Sequence, residues 1–302
     1  MSLLVVGSIA LDTVKTPLEE HADILGGSAS YAAVSASFFT PVNLVGVVGD
    51  DFPAEYRDLF NRQNINTQGL QVEKGKTFRW TGEYEWDMNN RRTLFVALNV
   101  FENFKPQLPE SYKKTPYVLL ANIHPALQLS VLSQIEAPRF VVADTMDLWI
   151  EVAQEELKQV LAKVDMLILN DSEAREFMKE TSLVKAGAKL MKLGPKYVAI
   201  KKGEHGCLLF GEGKFFSAPA FPLEDIHDPT GAGDTFAGAL LGYVASQGNT
   251  SFESLKKAVV YGSTMASFNV EAFSLNKLQT LTQDQIQQRY RQFKMFSHFD
   301  DL

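Results

Sequence analysis

Short apolar runs alternate with amphipathic or small-residue stretches along most of the chain. Six runs have the length and the β-branched content of strands: LLVVGSIA, VNLVGVVG, YVLLANI, RFVVADT, MLILN and YVAIKKG. Because these runs are apolar almost throughout, they predict strands covered on both faces, and the helical stretches between them predict parallel connections. The pattern indicates an α/β fold, a Rossmann-like α/β/α sandwich around a central, mainly parallel sheet.

One segment, residues 77–100, breaks this alternation. In TFRWTGEYEWDMNNRRTLFVALNV the first half places aromatic residues at even positions and mostly polar ones at odd positions, which predicts a hairpin that turns near residues 88–90. The aromatic positions are Phe78, Trp80, Tyr84 and Trp86. Strands near residues 12–16 and 69–73 are predicted to join the hairpin in a small sheet outside the sandwich.

The aromatic face of this hairpin has two interpretations. It covers the main domain or a second copy of the chain, or it closes over a ligand as a lid, and both hold if dimerising lids also close a site. We expect one domain over residues 1–302, with a small β-sheet lid built from segments at about 12–25 and 69–101. A homodimer through the lid is one of the expected arrangements.

Length and composition fit a soluble protein with one large α/β domain or two modest ones. The chain has 302 residues, of which 45% are hydrophobic, enough to bury a sizeable core. No run of apolar residues is long enough to cross a bilayer, and MSLLVVGSIALD lacks a basic leader, so we expect no membrane partner. The single cysteine, Cys207, excludes an internal disulfide, and its apolar flank CLLF predicts a small core residue. A cytoplasmic location is therefore expected.

Charge and histidine spacing exclude two further classes of function. The formal net charge is −7 and no basic run occurs, so nucleic acid is not an expected partner. The five histidines show no metal-ligand spacing, and a histidine-bound metal is not expected. They are His21, His124, His205, His227 and His298.

The stretch DPTGAGDTFAGALLGY, residues 228–243, carries the clearest candidate chemistry. It places Gly231, Ala232 and Gly233 before a carboxylate, Asp234, where an apolar helix begins. The first turn of a helix leaves backbone N–H groups without partners, and small residues let an anion such as phosphate approach them. The same residues also fit a purely structural interpretation, in which the helix dipole stabilises Asp234 by about 0.3–1 kcal/mol and the glycines allow tight packing.

A catalytic interpretation uses both features together. In phosphoryl transfer a base accepts a hydroxyl proton late, while N–H donors hold the developing negative charge. Asp234 would be the base, and the N–H groups around residues 231–233 would form the anion hole. General base catalysis contributes about 10²–10⁴-fold, so loss of Asp234 should remove most turnover at little cost in stability.

Several motifs together resemble the ribokinase-like (PfkB) carbohydrate kinase family. DPTGAGDTFAGALLGY is similar to the C-terminal signature of that family, and GSIALD, LGGSASYAAVSAS and LVGVVGDD are similar to its sugar-binding half. The motifs occur in the expected order, from Gly7 to about Phe273. The resemblance implies a ribokinase-like kinase that uses ATP with Mg²⁺ and phosphorylates an alcohol group, and a monovalent cation such as K⁺ near the anion hole.

The resemblance also implies roles for individual residues on the substrate side. Asp234 matches the catalytic base and residues 231–233 the anion hole. Asp12 matches an early carboxylate that grips substrate hydroxyls, and Gly26-Gly27 matches a diglycine that lets backbone lie close to the sugar. The alternatives are a turn residue for Asp12 and a loop that opens a helix for the diglycine.

On the nucleotide side, NDSE, residues 170–173, matches an N-x-x-E motif in which Glu173 organises magnesium-bound water and phosphate oxygens. Its spacing equally fits a capping box, with Asn170 at the N-cap and Glu173 at N3. KKGEHG matches the nucleotide-side strand and turn, and supplies Lys201, Gly203 and Gly206 as candidate contacts. Asp228 and Thr230 match the cation-binding loop, although DPT is also a good turn sequence.

The substrate is less clear than the reaction. Ala10, Ser28 and Tyr31 stand where related sugar kinases often place Asn or Lys against sugar hydroxyls, and Ser28 and Tyr31 are candidate substrate contacts. We expect phosphorylation of a hydroxymethyl group on a small sugar. The first alternative is a nucleoside whose base stacks on Trp80 or Tyr84. A catalytically silent sugar or nucleotide sensor is a further alternative, against which the intact Asp234 argues.

Overall fold

A nine-stranded sheet forms the centre of the molecule, and a four-stranded sheet lies outside it. The structure is a computed structural model that describes residues 1–297. In chain order the strands are β1 (Leu3–Val6), β2 (Ala10–Lys15), β3 (Glu20–Gly26), β4 (Val42–Gly49), β5 (Ile65–Glu73), β6 (Phe78–Tyr84), β7 (Arg91–Ala97), β8 (Tyr117–Leu120), β9 (Phe140–Asp144), β10 (Met166–Asn170), β11 (Tyr197–Lys201), β12 (Cys207–Gly211) and β13 (Lys214–Ala218).

The large sheet has the order β13-β12-β11-β10-β9-β8-β1-β4-β5. Its strands run parallel from β5 to β11, and β12 and β13 are added antiparallel at one edge. The six apolar runs form β1, β4, β8, β9, β10 and β11, as their pattern predicts. The mainly parallel sheet is therefore confirmed.

Eleven helices connect the strands of residues 1–297. They are α1 (Ser28–Ser37), α2 (Ala54–Arg62), α3 (Pro125–Leu132), α4 (Asp147–Val152), α5 (Gln154–Leu161), α6 (Asp171–Met178), α7 (Leu183–Met191), α8 (Ala232–Gln247), α9 (Phe252–Asn269), α10 (Asn276–Gln279) and α11 (Gln283–Ser297). Short 3₁₀ turns cover Asn99–Asn103, Glu110–Tyr112 and Gly203–His205.

The helices bury both faces of the large sheet. Leu3 and Val5 of β1 pack in one core with residues of α1, α8 and α9. Leu4 and Val6, which point to the opposite face, pack in a second core with residues of α5, α6 and α7. This two-sided burial explains why the strand segments are apolar at successive positions.

The four-stranded sheet, called the small sheet below, has the order β3-β2-β6-β7. The predicted hairpin is present as β6 and β7, and β2 joins it, as expected. The expectation that residues 69–73 also join is wrong, because they belong to β5, which pairs with β4 in the large sheet. A Cβ on Gly69 would lie 2.7 Å from the Leu44 carbonyl oxygen, so this glycine permits close approach to β4.

The aromatic residues of the hairpin do not share one environment. Tyr84 is buried and packs with Val14 and Phe273, and Trp80 packs against that group. Trp86 follows the end of β6 and is 86% exposed. The aromatic face thus packs partly on the rest of the molecule and ends in open surface.

Other expectations concern the helices and the histidines. Cys207 is buried and unpaired, as its flank predicts. Among residues 1–297, none of the helices combines the length and the apolar content that crossing a bilayer requires. His298 lies outside the described residues.

Candidate active site

Two helix N-termini, those of α1 and α8, meet at one end of the molecule. α1 packs along α8, and a Cβ on Gly238 would overlap the carbonyl oxygen of Ala32. Four residues further along α8, a Cβ on Gly242 would lie 3.0 Å from Cα of Ala36. The small residues of AGALLGY thus let the two helix backbones touch, which holds both N-termini in fixed relation.

The N-terminus of α8 has the geometry that GAGD predicts. Gly231 is the N-cap with φ +74°, and the helix begins at Ala232, so Asp234 lies in its first turn. Left-handed backbone of this kind favours glycine. Because the N–H groups of this turn have few helical partners and their residues carry no large side chain, the turn is suited to bind an anion.

The N-terminus of α1 brings the acceptor-side candidates to the same place. Gly27 is its N-cap with φ +89°, and a Cβ on Gly26 would overlap the carboxylate of Asp12. Gly26 therefore lets the backbone pass close to Asp12, while a Cβ on Gly27 would lie 2.5 Å from the Ser8 carbonyl oxygen. The ring of Tyr31, in the first turn of α1, lies against Gly231, where a Cβ would overlap the ring.

Ser28 does not have a free hydroxyl. Its Oγ donates to the carbonyl oxygen of Asn122 at 3.1 Å, and Oγ also accepts from the backbone N–H of Ser8 at 3.2 Å. The side chain ties three loops together below the diglycine. Its predicted contact with substrate stays a prediction, and the geometry gives it a structural task.

Carboxyl groups are concentrated between these two helix ends. Burial raises the pKa of Asp12 to about 8, and Asp228 adds to the rise. Burial, followed by the negative charge of Asp144, raises the pKa of Asp234 to about 7, against the opposing effects of Lys201 and Arg91. A carboxyl group with a pKa near neutrality is matched to the task of a general base.

The loop before α8 is held by Asp228. Its Oδ1 accepts from the backbone N–H of Thr230 at 2.8 Å, and its Oδ2 accepts from that of Ser274 at 3.1 Å. The Thr230 hydroxyl donates to the Tyr84 hydroxyl at 3.2 Å, which links the small sheet to this loop. The Tyr84 hydroxyl is therefore already paired within the protein, and the stacking of its ring on a nucleobase stays a prediction.

The NDSE motif forms a complete capping box. The Asn170 side chain accepts from the Glu173 N–H at 2.8 Å, and Glu173 Oε2 accepts from the Asn170 N–H at 2.7 Å. Glu173 is 7% exposed, and burial raises its pKa to about 7. The structural interpretation is thus confirmed, while Oε1 of Glu173 remains available for a ligand.

Lys201 lies between two predicted parts of the site, the strand and turn of KKGEHG and the first turn of α8. Its Nζ lies 3.4 Å from Oδ2 of the buried Asp144, and a Cβ on Gly233 would lie 2.8 Å from the same Nζ. The ammonium group is therefore beside the first turn of α8. Gly203 and Gly206, both with positive φ, form the turn that follows β11.

Two residues of the site are absent from the sequence predictions. Asp144 ends β9, and its position at the carboxyl end of a predicted parallel strand was a usable signal. Arg91 begins β7, and its guanidinium lies 5.1 Å from the centre of the Trp80 ring. Its positive charge opposes the rise in the pKa values of Asp12 and Asp234. Nothing in the hairpin pattern distinguishes Arg91 from its neighbour Arg92.

Comparisons with known proteins bear on the family to which the chain belongs. The profile of the "pfkB family carbohydrate kinase" matches residues 6–280. A cytidine kinase of Thermococcus kodakarensis is 30% identical over 246 residues, which are 80% of this chain and 87% of the relative. A nucleoside kinase of Thermoplasma acidophilum is 30% identical over 257 residues, 83% of this chain and 81% of the relative.

The fold is similar to that of a solved nucleoside kinase from Methanocaldococcus jannaschii, described as an archaeal member of the ribokinase family. The TM-score is 0.76 at 21% sequence identity, with 96% of this chain and 98% of the other covered. This likeness confirms the ribokinase-like α/β fold with its additional small sheet. Since the family profile spans nearly the whole chain, this chain belongs to the pfkB family of carbohydrate kinases.

Proposed function

We propose that the protein transfers the terminal phosphoryl group of ATP to the hydroxymethyl group of a nucleoside. The observation that carries the kinase chemistry is Asp234, a carboxyl group with a pKa raised to about 7 by burial, in the first turn of α8. The nucleoside class is supported by two relatives, each 30% identical, that are named cytidine kinase and nucleoside kinase.

In the proposed reaction Asp234 accepts the proton of the acceptor hydroxyl. The acceptor oxygen forms a bond to phosphorus, the bond between phosphorus and the leaving oxygen of ADP breaks, and the proton goes to the Asp234 carboxylate. The backbone N–H groups of residues 231–233 stabilise the negative charge on the phosphoryl oxygens. Lys201, whose Nζ lies near Gly233, adds a positive charge on the same side.

The nucleotide-side residues have complementary tasks in this proposal. Asn170 fixes the start of α6, and Glu173 presents Oε1 toward the phosphates. Gly203 and Gly206 have no side chain, so the turn after β11 leaves room for a nucleotide to lie against its backbone.

Magnesium fits the donors that are present. Within residues 1–297 no group of three or more His, Cys, Asp or Glu side chains is arranged to hold a metal ion by itself. Mg²⁺ commonly binds through one or two carboxylates together with substrate phosphates, and Glu173 can supply such a carboxylate. When bound with ATP, Mg²⁺ supplies charge neutralisation at the phosphate oxygens.

Asp228 and Thr230 remain proposed ligands of a monovalent cation such as K⁺. Each oxygen of Asp228 accepts one backbone N–H, and the Thr230 carbonyl oxygen accepts from the Asn269 side chain at 2.8 Å. Carboxylate and carbonyl oxygens have a second lone pair, so a cation would bind as an additional partner of an already ordered loop.

The small sheet is proposed to act as a lid. Its Tyr84 contacts the loop before α8, and the Arg91 guanidinium lies over the ring of its Trp80. The positive charge of Arg91 also opposes the rise in the pKa of Asp12. Closing the sheet over bound acceptor would exclude water, which would otherwise compete as the nucleophile. Trp80 and Tyr84 are the candidates to stack on a base.

A small sugar is the second candidate acceptor. The family profile describes carbohydrate kinases, and Asp12 with the diglycine suits a sugar hydroxyl whether or not a base is attached.

A cytoplasmic setting is part of the proposal and is supported by the free, buried Cys207. A homodimer through the exposed strand β7 of the small sheet is also part of it.

The proposal is tested by acceptor-dependent ADP release. Purified protein is assayed with ATP and Mg²⁺ against nucleosides, pentoses, hexoses and phosphorylated sugars, in KCl and in tetramethylammonium chloride. We expect release with a nucleoside and a loss of at least about 10²-fold in the Asp234→Asn variant, which removes the base. Dependence on KCl would support the cation site.

Three results would count against parts of the proposal. Full activity of Asp234→Asn would exclude Asp234 as the base. Release with pentoses and not with nucleosides would make the sugar the acceptor. Ligand-induced stabilisation without any ADP release would favour a sensor.

A further inference from the structure

Gln128, on α3, is a buried amide at the carboxyl end of the large sheet. It is 1% exposed, and its Nε2 lies 3.0 Å from the carbonyl oxygen of Asp144, the last residue of β9. The same nitrogen lies 3.2 Å from the carbonyl oxygen of Ala121 and 3.3 Å from that of Leu120, at the end of β8. All three neighbours are acceptors, and Oε1 has no partner among residues 1–297, so the amide acts here through its N–H groups. Gln128 thus ties the carboxyl ends of two neighbouring strands together.

The Asp144 carboxylate extends this tie to Lys201. Its Oδ1 accepts from the backbone N–H of Thr145 at 3.0 Å, and its Oδ2 lies 3.4 Å from Nζ of Lys201. Asp144 ends β9 and Lys201 ends β11, so the ion pair crosses β10, which lies between these strands in the large sheet. The Asp144 side chain is 5% exposed and that of Lys201 is 19% exposed, so dissolved salt screens the pair little.

Lys201 is a long, flexible cation among several carboxyl groups. Burial disfavours its charged form, but the negative charges of three neighbours outweigh burial and raise the pKa of Lys201. These neighbours are Asp144, Glu173 and Asp234. A lysine ammonium is a point charge on a flexible four-carbon stem, so it needs a fixed partner to stay in one place. The contact with Asp144 holds Nζ beside the first turn of α8, where a Cβ on Gly233 would lie 2.8 Å from it.

We propose that Gln128 is a positioning residue for phosphoryl transfer, because it fixes the end of β9 from which Asp144 holds the Lys201 ammonium beside the first turn of α8. This inference rests on the proposed function, in which Lys201 adds positive charge next to the transferred phosphoryl group. The effect of Gln128 passes through the backbone of Asp144, and Gln128 is not itself a contact of the phosphates. Since a misplacement of about 1 Å costs up to about 10²-fold in rate, loss of this tie has a measurable effect on kcat.

The experiment is a double-mutant cycle on kcat between Gln128 and Lys201. Wild type, Gln128→Met, Lys201→Met and the double variant are compared by ADP release at saturating ATP, Mg²⁺ and preferred nucleoside. Gln128→Met keeps the length of the side chain and removes its N–H donors, and we expect it to lower kcat on the order of 10-fold. In the Lys201→Met background the same change should alter kcat by less than about 2-fold, because the charge that Gln128 positions is gone.

Gln134→Met is the matched control for the loss of a bridging amide. Gln134, just beyond α3, also uses its Nε2 to bridge two backbone carbonyl oxygens, those of Pro106 at 2.9 Å and Ser130 at 3.0 Å. Its Oε1 accepts from the backbone N–H of Leu108, so none of these three partners belongs to β8, β9 or β11. Both variants should melt at a lower temperature than wild type, since each leaves carbonyl groups without a donor, but only Gln128→Met should lose kcat.

The outcomes separate the positioning role from the proposed function. Wild-type kcat in Gln128→Met, an equal loss of kcat in Gln134→Met, or an undiminished effect when Lys201 is already replaced would overturn the role of Gln128 while the kinase stands. If Gln128→Met does not fold, the same cycle is run with Gln128→Glu, which when protonated keeps one of the two donors.

A wild type that releases no ADP with any nucleoside or sugar would refute the proposed function. The cycle is then measured on the Kd of ATP with Mg²⁺, by titration calorimetry. Positioning of Lys201 against the phosphates predicts the same non-additive effect there, and additive losses in affinity would overturn the role of Gln128 as well.

Discussion

Asp234 is subject to two opposing requirements at the scale of a single residue. Its carboxyl group must ionise to accept a proton, yet burial and the nearby Asp144 disfavour the charge and raise its pKa to about 7. Lys201 and Arg91 offset part of this cost. In the proposed reaction, a residue held this way would serve catalysis at the expense of the stability of the ligand-free protein.

This conflict gives a prediction for stability against pH. The folded pKa of Asp234 is above its ordinary value of 3.8, so between these values the folded state binds more protons than the unfolded state, and stability falls as pH rises. Asp234→Asn cannot ionise and escapes this loss. We expect its stability relative to wild type to increase from pH 4 to pH 8 by on the order of 4 kcal/mol, measured by urea denaturation.

Asp58→Asn is the control for that measurement. Asp58 lies on α2 and is exposed, so its replacement should give a difference from wild type that changes little with pH. A flat difference for Asp234→Asn as well would mean that its carboxyl group is solvated in the folded protein.

Prediction from sequence succeeds at this scale where a residue type has a fixed relation to the backbone. Gly231 and Asp234 were placed at a helix start because small residues and a carboxylate precede an apolar helical segment, and that position is confirmed. The Lys201–Asp144 pair could not be identified in the same way, because it joins the ends of two strands 57 positions apart. Contacts of that kind depend on the sheet order, which local patterns do not contain.

The pairing of α1 with α8 controls the site at the scale of elements. Two glycines four positions apart on α8, Gly238 and Gly242, face small residues of α1, and the Ser35 hydroxyl donates to the Thr235 carbonyl oxygen at 2.7 Å. This contact keeps the first turn of α8 and the Gly26-Gly27 diglycine at a fixed distance from each other. Any change in the helix separation moves both halves of the site.

Gly238→Ala tests this pairing. At an open helix position the change from glycine would stabilise by about 1 kcal/mol, but here the new methyl group would overlap the Ala32 carbonyl oxygen. We expect a net loss of about 2 kcal/mol of unfolding free energy and a lowered kcat, because the helices must separate. Gly242→Ala, with its nearest atoms at 3.0 Å, should lose less. Equal stability of Gly238→Ala and wild type would contradict the close crossing.

Strands with a strong apolar pattern were predicted correctly, and strands with a weak one were misassigned or missed. The six central strands are apolar throughout and were predicted, whereas β5 buries only Ile65 and Gly69 fully and was assigned to the wrong sheet. The antiparallel strands β12 and β13 were not predicted. They lie at the edge of the large sheet, where β13 is mostly exposed and its sequence KFFSA has no regular alternation.

At the scale of the whole molecule, β7 is one of the two edge strands of the small sheet, and it carries exposed apolar residues. β7 is the last strand in its order, and Leu94, Phe95 and Val96 on it are each about half exposed. An exposed apolar edge strand is a ready template for pairing with another chain. A second copy of β7 would cover the same residues in both chains, in keeping with the symmetry of most homodimers.

We therefore expect a dimer in solution that Phe95→Lys converts to a monomer, as measured by light scattering during gel filtration. Phe215→Lys is the control, since Phe215 lies on β13, the edge strand of the large sheet, and is 61% exposed against 55% for Phe95. The control should stay dimeric. A monomeric wild type, or loss of the dimer in the control alone, would refute the proposed interface.

The buried carboxyl groups of the candidate site also affect how the whole molecule exchanges protons with its solvent. The formal net charge of −7 counts every carboxyl group as ionised, but the pKa values of Asp12, Glu173 and Asp234 lie between about 7 and 8. The net charge of the free protein near neutrality therefore depends on how far these three buried carboxyl groups are ionised. Ligands that change this environment make the protein take up or release protons, so the heat of binding depends on the ionisation enthalpy of the buffer.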